Sequence, residues 1–286
     1  MIPAAFEYTR PASLDEALQL LSNNGGSKII AGGQSLLPLL KLRLASAERL
    51  IDIGRLAELK GVRQLPDGRM AVGALTTYSE LLDSPVKAYG LLRDALPKIG
   101  DIQVRNRGTV GGSIAHADPA SDLPACLLAL NAEMVARSPG GERTIAATEF
   151  FRGAFETALK PGEVLTEVRL MGPRDDAGSA YASLEQPSSG YAIAGVAAVV
   201  IRNGAGPIGS SMVAITGVGD VAYRASAVEN ALNGSDGSAE AIAAAAAHAT
   251  DGITVRGDIH ADSAYRTAMA AVYTRRAIEA ALARLD

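Results

Sequence analysis

An α+β fold is predicted, and three observations predict it. In the last hundred residues the strands come first and the helices afterwards, in blocks, unlike a doubly wound sheet. In the middle of the chain short strands flank turn-forming residues, as in hairpins. Apolar residues make up 48% of the 286 residues and charged ones 20%, enough for a sizeable core. At roughly 150 residues per domain the length suggests about two domains. Changes of character near 56 and 175 divide the chain into 1–56, 57–175 and 176–286.

The N-terminal unit opens on Ser13-Leu14-Asp15-Glu16, which has the form of a capping box. Leu14, Ala17, Leu18 and Leu21 then share one helical face, and Asn23-Asn24-Gly25-Gly26 ends the helix. A short apolar strand at 28–31 runs into Gly32-Gly33-Gln34-Ser35. A leucine-rich helix at 36–44 and a strand at 49–53 follow. In the middle unit, strands at 61–65 and 69–74 flank Pro66-Asp67-Gly68. Helices are expected at 78–83 and 89–96. Residues 100–124, rich in Gly, Asn, Asp and Pro, are expected to be loop. A helix at 125–130 precedes strands at 132–137 and 142–146, and a further strand covers 164–170. Gly172-Pro173-Arg174-Asp175-Asp176 has linker composition. The last unit carries strands at 179–185, 193–202 and 208–217, then helices at 224–232, 239–249 and 262–284. The alanines of 239–249 need only their helix propensity as explanation.

Composition excludes several classes of function. Lys plus Arg is 27 against 31 Asp plus Glu, a net charge of −4, which argues against nucleic acid as partner. Cys126 is the only cysteine, too few for a disulfide, a thiolate metal cage or an iron–sulfur cluster. His116, His248 and His260 are too scattered to suggest zinc. The longest uncharged apolar run, 192–201, is half of what crosses a bilayer. MIPAAFEYTRP has no basic segment before an apolar core, so a cytoplasmic protein without a metal of its own is expected.

Two glycine-rich stretches could carry chemistry. In Ala31-Gly32-Gly33-Gln34-Ser35-Leu36, between a strand and a helix, paired glycines let backbone amides approach an anion, with a diphosphate the obvious ligand. A tight strand-to-helix turn is the plainer explanation of the same residues. The second stretch is Thr109-Val110-Gly111-Gly112-Ser113, with a hydroxyl on each side of the glycine pair. Asp122 stands where a helix should begin, either as its N-cap or as an acceptor for ligand hydroxyls. His116 has no nucleophile paired with it, and no catalytic residue is assigned. The G-x-G-x-x-G of 204–209 precedes a strand rather than a helix and is better explained by a hairpin turn than by a dinucleotide. No P-loop and no G-x-S-x-G elbow occurs.

Taken together, A-G-G-Q-S-L at 31–36, Q-V-R-N-R-G-T-V-G-G-S at 103–113 and D-P-A-S-D-L-P at 118–124 resemble the FAD-binding medium subunit of molybdenum hydroxylases. The likeness is strongest to the carbon monoxide dehydrogenase type, with xanthine dehydrogenase carrying a related flavin domain. It extends to F-x-Y-x-R-P-x-S-x-x-E-A at the start, P-G-E-x-L at 161–165 and Y-R-x-x-M at 265–269. The resemblance implies a two-part FAD-binding fold of the vanillyl-alcohol-oxidase type, followed by a three-stranded antiparallel sheet with a helical bundle. It implies that Ala31, Gly32, Gly33, Gln34 and Ser35, with Thr109, Gly111, Gly112 and Ser113, wrap the FAD pyrophosphate, and that Ile30 and Leu36 also bind the cofactor. Asp122 would bond ribityl or ribose hydroxyls, Leu165 and Ile99 would contact the cofactor, and Tyr191 would lie over the isoalloxazine ring.

The partners implied are a large molybdenum-cofactor subunit and a small subunit with [2Fe–2S] clusters, in a dimer of heterotrimers. Electrons would pass from the clusters to FAD and on to an external acceptor. A self-contained flavin oxidase of the same fold, and an assembly subunit that has lost flavin, are the alternatives. The chain departs from the family at 182–190, where Arg and Lys are absent and Gly190 replaces the usual Asp. That departure removes positive charge expected beside the flavin and argues against NAD as acceptor.

Overall fold

In a computed structural model that describes every residue except 24, 203, 205 and 286, the Ser13 hydroxyl accepts the Glu16 amide and opens the Leu14–Ser22 helix. The Glu16 carboxylate accepts the amide of Ala12, one residue before the cap, instead of that of Ser13, so half of the predicted capping box forms. Of the residues expected to end this helix, Asn24 lies outside the described residues. Leu14, Ala17 and Leu18 are buried in a small core beside Ile51 and Ile53. That core belongs to a parallel three-stranded sheet in the order Glu7–Thr9, Arg49–Asp52, Ser27–Ile30.

The second sheet has five antiparallel strands in the order Val62–Gln64, Met70–Gly73, Val164–Leu170, Glu133–Ser138, Gly141–Ala146. The predicted hairpins are its two edges. Val164–Leu170, the last strand in sequence, sits at the centre, and a bulge between Leu165 and Glu167 bends it. Residues 100–124 are not the loop expected. They contain the Ile102–Arg105 and Val110–His116 helices, and Asp122 starts the Asp122–Ala129 helix. The glycine pair at 111–112 hid the second of these, because glycine lowers helix propensity without forbidding a short, well-capped turn.

The third sheet is antiparallel: Ala177–Glu185, Ala192–Arg202, Ile208–Thr216 and Tyr223–Arg224. It has four strands rather than the predicted three. Arg224, expected to begin a helix, pairs with Ala214 instead, beside Tyr223 on Ile215, and the helix starts at Ser226. Ala192–Arg202 is buried on both faces. Ala197 and Val199 join the core of the middle sheet, whereas Val196, Ala198 and Val200 meet the C-terminal helices. Two-sided burial explains why this strand is a continuous apolar run instead of alternating. The Ser263–Leu282 helix covers the outer face through Ala270, Ala277, Ile278 and Ala281. The hairpin expected at 204–209 joins two consecutive paired strands; Ala205 within it lies outside the described residues. No helix among the described residues is long and apolar enough to cross a membrane.

Candidate cofactor-binding site

The Ser27–Ile30 strand delivers the first glycine stretch to a cleft of about 550 Å³ between the first two sheets. Gly33 has φ +77°, which favours glycine, and the Leu36–Lys41 helix starts just beyond. Gly32 packs directly against the Arg107 carbonyl, where a Cβ would collide with backbone. The second stretch enters as the first turn of the Val110–His116 helix. Gly111 lies against Ala74, and Ala31 faces Gly112, whose added Cβ would stand 3.9 Å from the Ala31 methyl. The first stretch therefore meets the backbone of Arg107 and Gly108, just before the second, at Gly32, and the second meets Ala74 at Gly111. Bare amides at such close approach suit a diphosphate-bearing ligand, and side chains at Gly32 and Gly111 would collide with backbone.

Every residue expected to hold the cofactor lines this one cleft: Ile30 through Leu36, Ile99, Thr109, Gly111, Gly112, Ser113, Asp122, Leu165 and Tyr191. Several hold roles that the sequence did not show. Thr109 caps its helix, its hydroxyl accepting the Gly112 amide at 3.1 Å. The Ser113 hydroxyl lies 3.2 Å from that of Ser121. Tyr78 is buried, and burial pushes its phenol up to about 12. The side chains at 109 and 113 therefore brace the wall rather than project from it.

Asp122 is not the N-cap. Ser121 holds that position, and Asp122 is the first helical residue, 4% exposed. Its Oδ1 accepts the phenol of Tyr181, 59 positions away. Burial pushes the Asp122 carboxyl up to about 7, although Tyr181 and the more distant Lys98 both pull it down. Tyr191 closes the cleft from a turn in which the Gly190 amide bonds the Gln186 carbonyl at 2.9 Å. Gly190 has φ +74°, so its presence is a matter of backbone geometry as well as charge. The charge missing from 182–190 is partly restored from elsewhere. Lys98, at the end of the Leu96–Lys98 turn, reaches Glu185 at 2.6 Å and Ser183 at 3.2 Å.

Sequence reasoning missed Tyr78, Lys98, Arg105 and Tyr181. Arg105 Nη1 donates to the carbonyls of Pro97, Ile99 and Gly100 and so holds the Ile99 side of the cleft in place. Only the period-two spacing of Tyr181 and Ser183 on one strand face offered a signal. His116 lies in the wall, its ring 5.1 Å from that of Phe155, and burial lowers its pKa. Among the described residues no group of His, Cys, Asp and Glu could hold a metal ion.

These features describe one cleft shared by two small sheets, in a chain that is similar throughout its length to known proteins. Residues 4–171 match the family described as the FAD binding domain in molybdopterin dehydrogenase. Residues 179–281 match the CO dehydrogenase flavoprotein C-terminal domain. The chain belongs to the family of FAD-binding medium subunits of molybdenum hydroxylases. It is 40% identical to the carbon monoxide dehydrogenase medium chain of Hydrogenophaga pseudoflava, covering 99% of each chain. It is 37% identical to the glyceraldehyde dehydrogenase medium chain of Sulfolobus acidocaldarius, covering 98% of this chain and 99% of that one. The solved carbon monoxide dehydrogenase of Hydrogenophaga pseudoflava superposes with a TM-score of 0.95 at 42% identity, over 99% of both chains. The protein is thus an oxidoreductase component whose cofactor is FAD.

Proposed function

We propose that this chain receives electrons from [2Fe–2S] clusters of a small subunit and passes them to an external acceptor. A large subunit with the molybdenum cofactor would oxidise the substrate, in a cytoplasmic dimer of heterotrimers. The observation that carries this reading is the convergence of both glycine stretches, Tyr191 and Asp122 on one cleft. FAD, when bound, supplies one- and two-electron transfer. The chain's own part is to hold and tune it. Amides at 31–35 and 109–113 would grip the diphosphate. Ile99 and Leu165 would pack against the cofactor and exclude water. Tyr191 would cover the flavin ring, and Asp122 would orient hydroxyls. We further propose that 1–56 and 57–175 form the two halves of the binding unit and 176–286 a separate unit.

The one cysteine is buried, so clusters would come from a partner. The two relatives named above act on different substrates by name, yet both are similar to this chain. That supports a substrate choice made in another subunit.

Titrating the purified chain with FAD, FMN and NADH, followed by flavin absorbance and fluorescence, tests the binding site. Saturable binding of FAD alone is expected. Adding substrate to the co-expressed complex should then bleach the flavin only when the small subunit is present. Bleaching of the isolated chain by an organic substrate would instead identify a self-contained oxidase. Failure of the whole complex to retain FAD would overturn the assignment of the two glycine stretches.

A further inference from the structure

Asp118, Ser121 and Asp122 line the cleft, yet the bonds that hold their segment come from the third sheet. The fully buried Thr216 hydroxyl, at the end of Ile208–Thr216, shares its proton between the carbonyls of Ser121 at 2.8 Å and Pro119 at 3.0 Å. The Gly217 amide donates to the same Pro119 carbonyl at 2.9 Å, and the Ala192 amide to that of Ala120 at 3.2 Å. The Tyr181 phenol donates to the Asp122 carboxyl. Each residue from 119 to 122 is thus gripped once or more by the third sheet or the turn at its edge. Both acceptors of the Thr216 hydroxyl lie outside the sheet, so gripping this segment is all that the hydroxyl does. A buried hydroxyl is costly unless bonded, and a valine would fill the same space.

Two glycines make room for the clamp. A Cβ at Gly195 would stand 2.1 Å from the Tyr181 hydroxyl and 2.9 Å from the Thr216 methyl. Gly217 has φ +80°, which favours glycine, and an added Cβ would stand 2.5 Å from the Ala192 carbonyl oxygen. Arg266 braces the clamp by donating to the carbonyls of Gly217 and Ile193. Ala192 directly follows Tyr191, so one anchorage serves two residues of the cleft, Asp122 and Tyr191.

We propose that Thr216 and Tyr181 are positioning residues for FAD, holding the 119–122 segment so that the Asp122 carboxyl meets a hydroxyl of the cofactor. The proposal rests on the reading that Asp122 orients cofactor hydroxyls. The distance range of a good hydrogen bond is only about half an ångström wide, so a carboxyl on an unanchored segment would lose most of the contact. Burial pushes the Tyr181 phenol well above its ordinary range, so it keeps its proton and remains a donor. Ser121, gripped by Thr216, lies 3.2 Å hydroxyl to hydroxyl from Ser113, which ties the anchored segment to the second glycine stretch.

The test is FAD titration of the full-length chain and of the co-expressed complex, followed by flavin fluorescence, with urea unfolding of the FAD-free chain recorded separately. Thr216→Val keeps the shape without the hydroxyl and should lower FAD affinity about tenfold, whereas Thr216→Ser should stay within about twofold of wild type. Tyr181→Phe should also cost about tenfold. Neither Thr216→Val nor Tyr181→Phe should add to the loss caused by Asp122→Ala, because nothing is left to position. If Thr216→Val fails to fold, Tyr181→Phe decides. Wild-type affinity in either folded variant would overturn that residue's role. Equal losses in Thr216→Ser and Thr216→Val, or losses that add fully to that of Asp122→Ala, would overturn the proposal. The reading beneath it fails by a different sign: Asp122→Ala itself would then bind FAD as tightly as wild type, and the proposal would fall with it.

Discussion

Gly32 has no room for a side chain, because the Arg107 carbonyl already occupies the place of a Cβ. Gly32→Ala should therefore push the first glycine stretch away from Arg107. The cost of such overpacking, about 1–3 kcal/mol, corresponds to a loss of FAD affinity on the order of tenfold to a hundredfold, read by fluorescence titration. An unchanged affinity would show that this close approach is not what grips the cofactor. Asp122 makes a second prediction. Its carboxyl is raised from 3.8 to about 7, so the folded state binds the proton more tightly than the unfolded one. The stabilisation is fully present below the unfolded value and is lost as pH rises through about 7. At about 1.4 kcal/mol per unit the change is of order 4 kcal/mol. Asp122→Asn should remove this fall. The stability difference between wild type and variant, from urea unfolding, should shrink or reverse between acid and neutral pH. A difference independent of pH would mean that Asp122 is not buried as an acid. The glycines were legible in the sequence because their chemistry is local. The Asp122–Tyr181 pair was not, because its partners lie on different elements and neither has a motif of its own.

At the scale of elements, the Val110–His116 helix depends on one hydroxyl. Thr109→Ala should cost about 1 kcal/mol and Thr109→Ser almost nothing, by thermal unfolding. If both variants matched the wild type, the cap would be irrelevant to the helix it precedes. A stronger dependence ties the last helix to the sheet. Arg266, 2% exposed, donates through Nη1 to the carbonyls of Ile193 at 2.7 Å and Gly217 at 2.5 Å. Its Nη2 donates to Asp258 at 2.6 Å. Burial alone would raise the Asp258 carboxyl, but the amides of His260 and Ala261, with Arg266, hold it well below the usual range. Arg266→Met takes the guanidinium from the Ile193 and Gly217 carbonyls, while Asp258 keeps Arg256 and two amides, and should cost about 3–5 kcal/mol in urea unfolding. A loss below about 1 kcal/mol would show that water replaces the guanidinium. The arginine was visible in the sequence only as part of the Y-R-x-x-M stretch, with nothing to say that it is buried.

At the scale of the whole molecule, the cores cross the sheets. Leu75 and Val164, from the middle of the chain, pack with the N-terminal helix. Tyr181, Val199 and Met212 pack with the middle sheet. Calorimetry should therefore show a single main transition, and two separated ones would mean that the units melt independently. Saturating FAD, at a hundredfold excess over Kd, should raise stability by about 2.7 kcal/mol, with no such effect from FMN.

The sequence by itself determined what depends on near neighbours. The capped first helix, the paired strands of the middle sheet, the long apolar strand, the glycine stretches and the lack of a cluster-forming cysteine set were all readable from a few consecutive residues. The family likeness rested on the same short motifs. Only the tertiary structure decided what depends on chain closure. It set the central place of Val164–Leu170, the contact of Gly32 with Arg107, the fourth strand at Tyr223–Arg224, and the delivery of Lys98 to a strand that carries no cation of its own. The physical reason is the same for each. Local preferences are set by backbone angles and nearby side chains, whereas these contacts pair groups that only the burial of a shared core brings together.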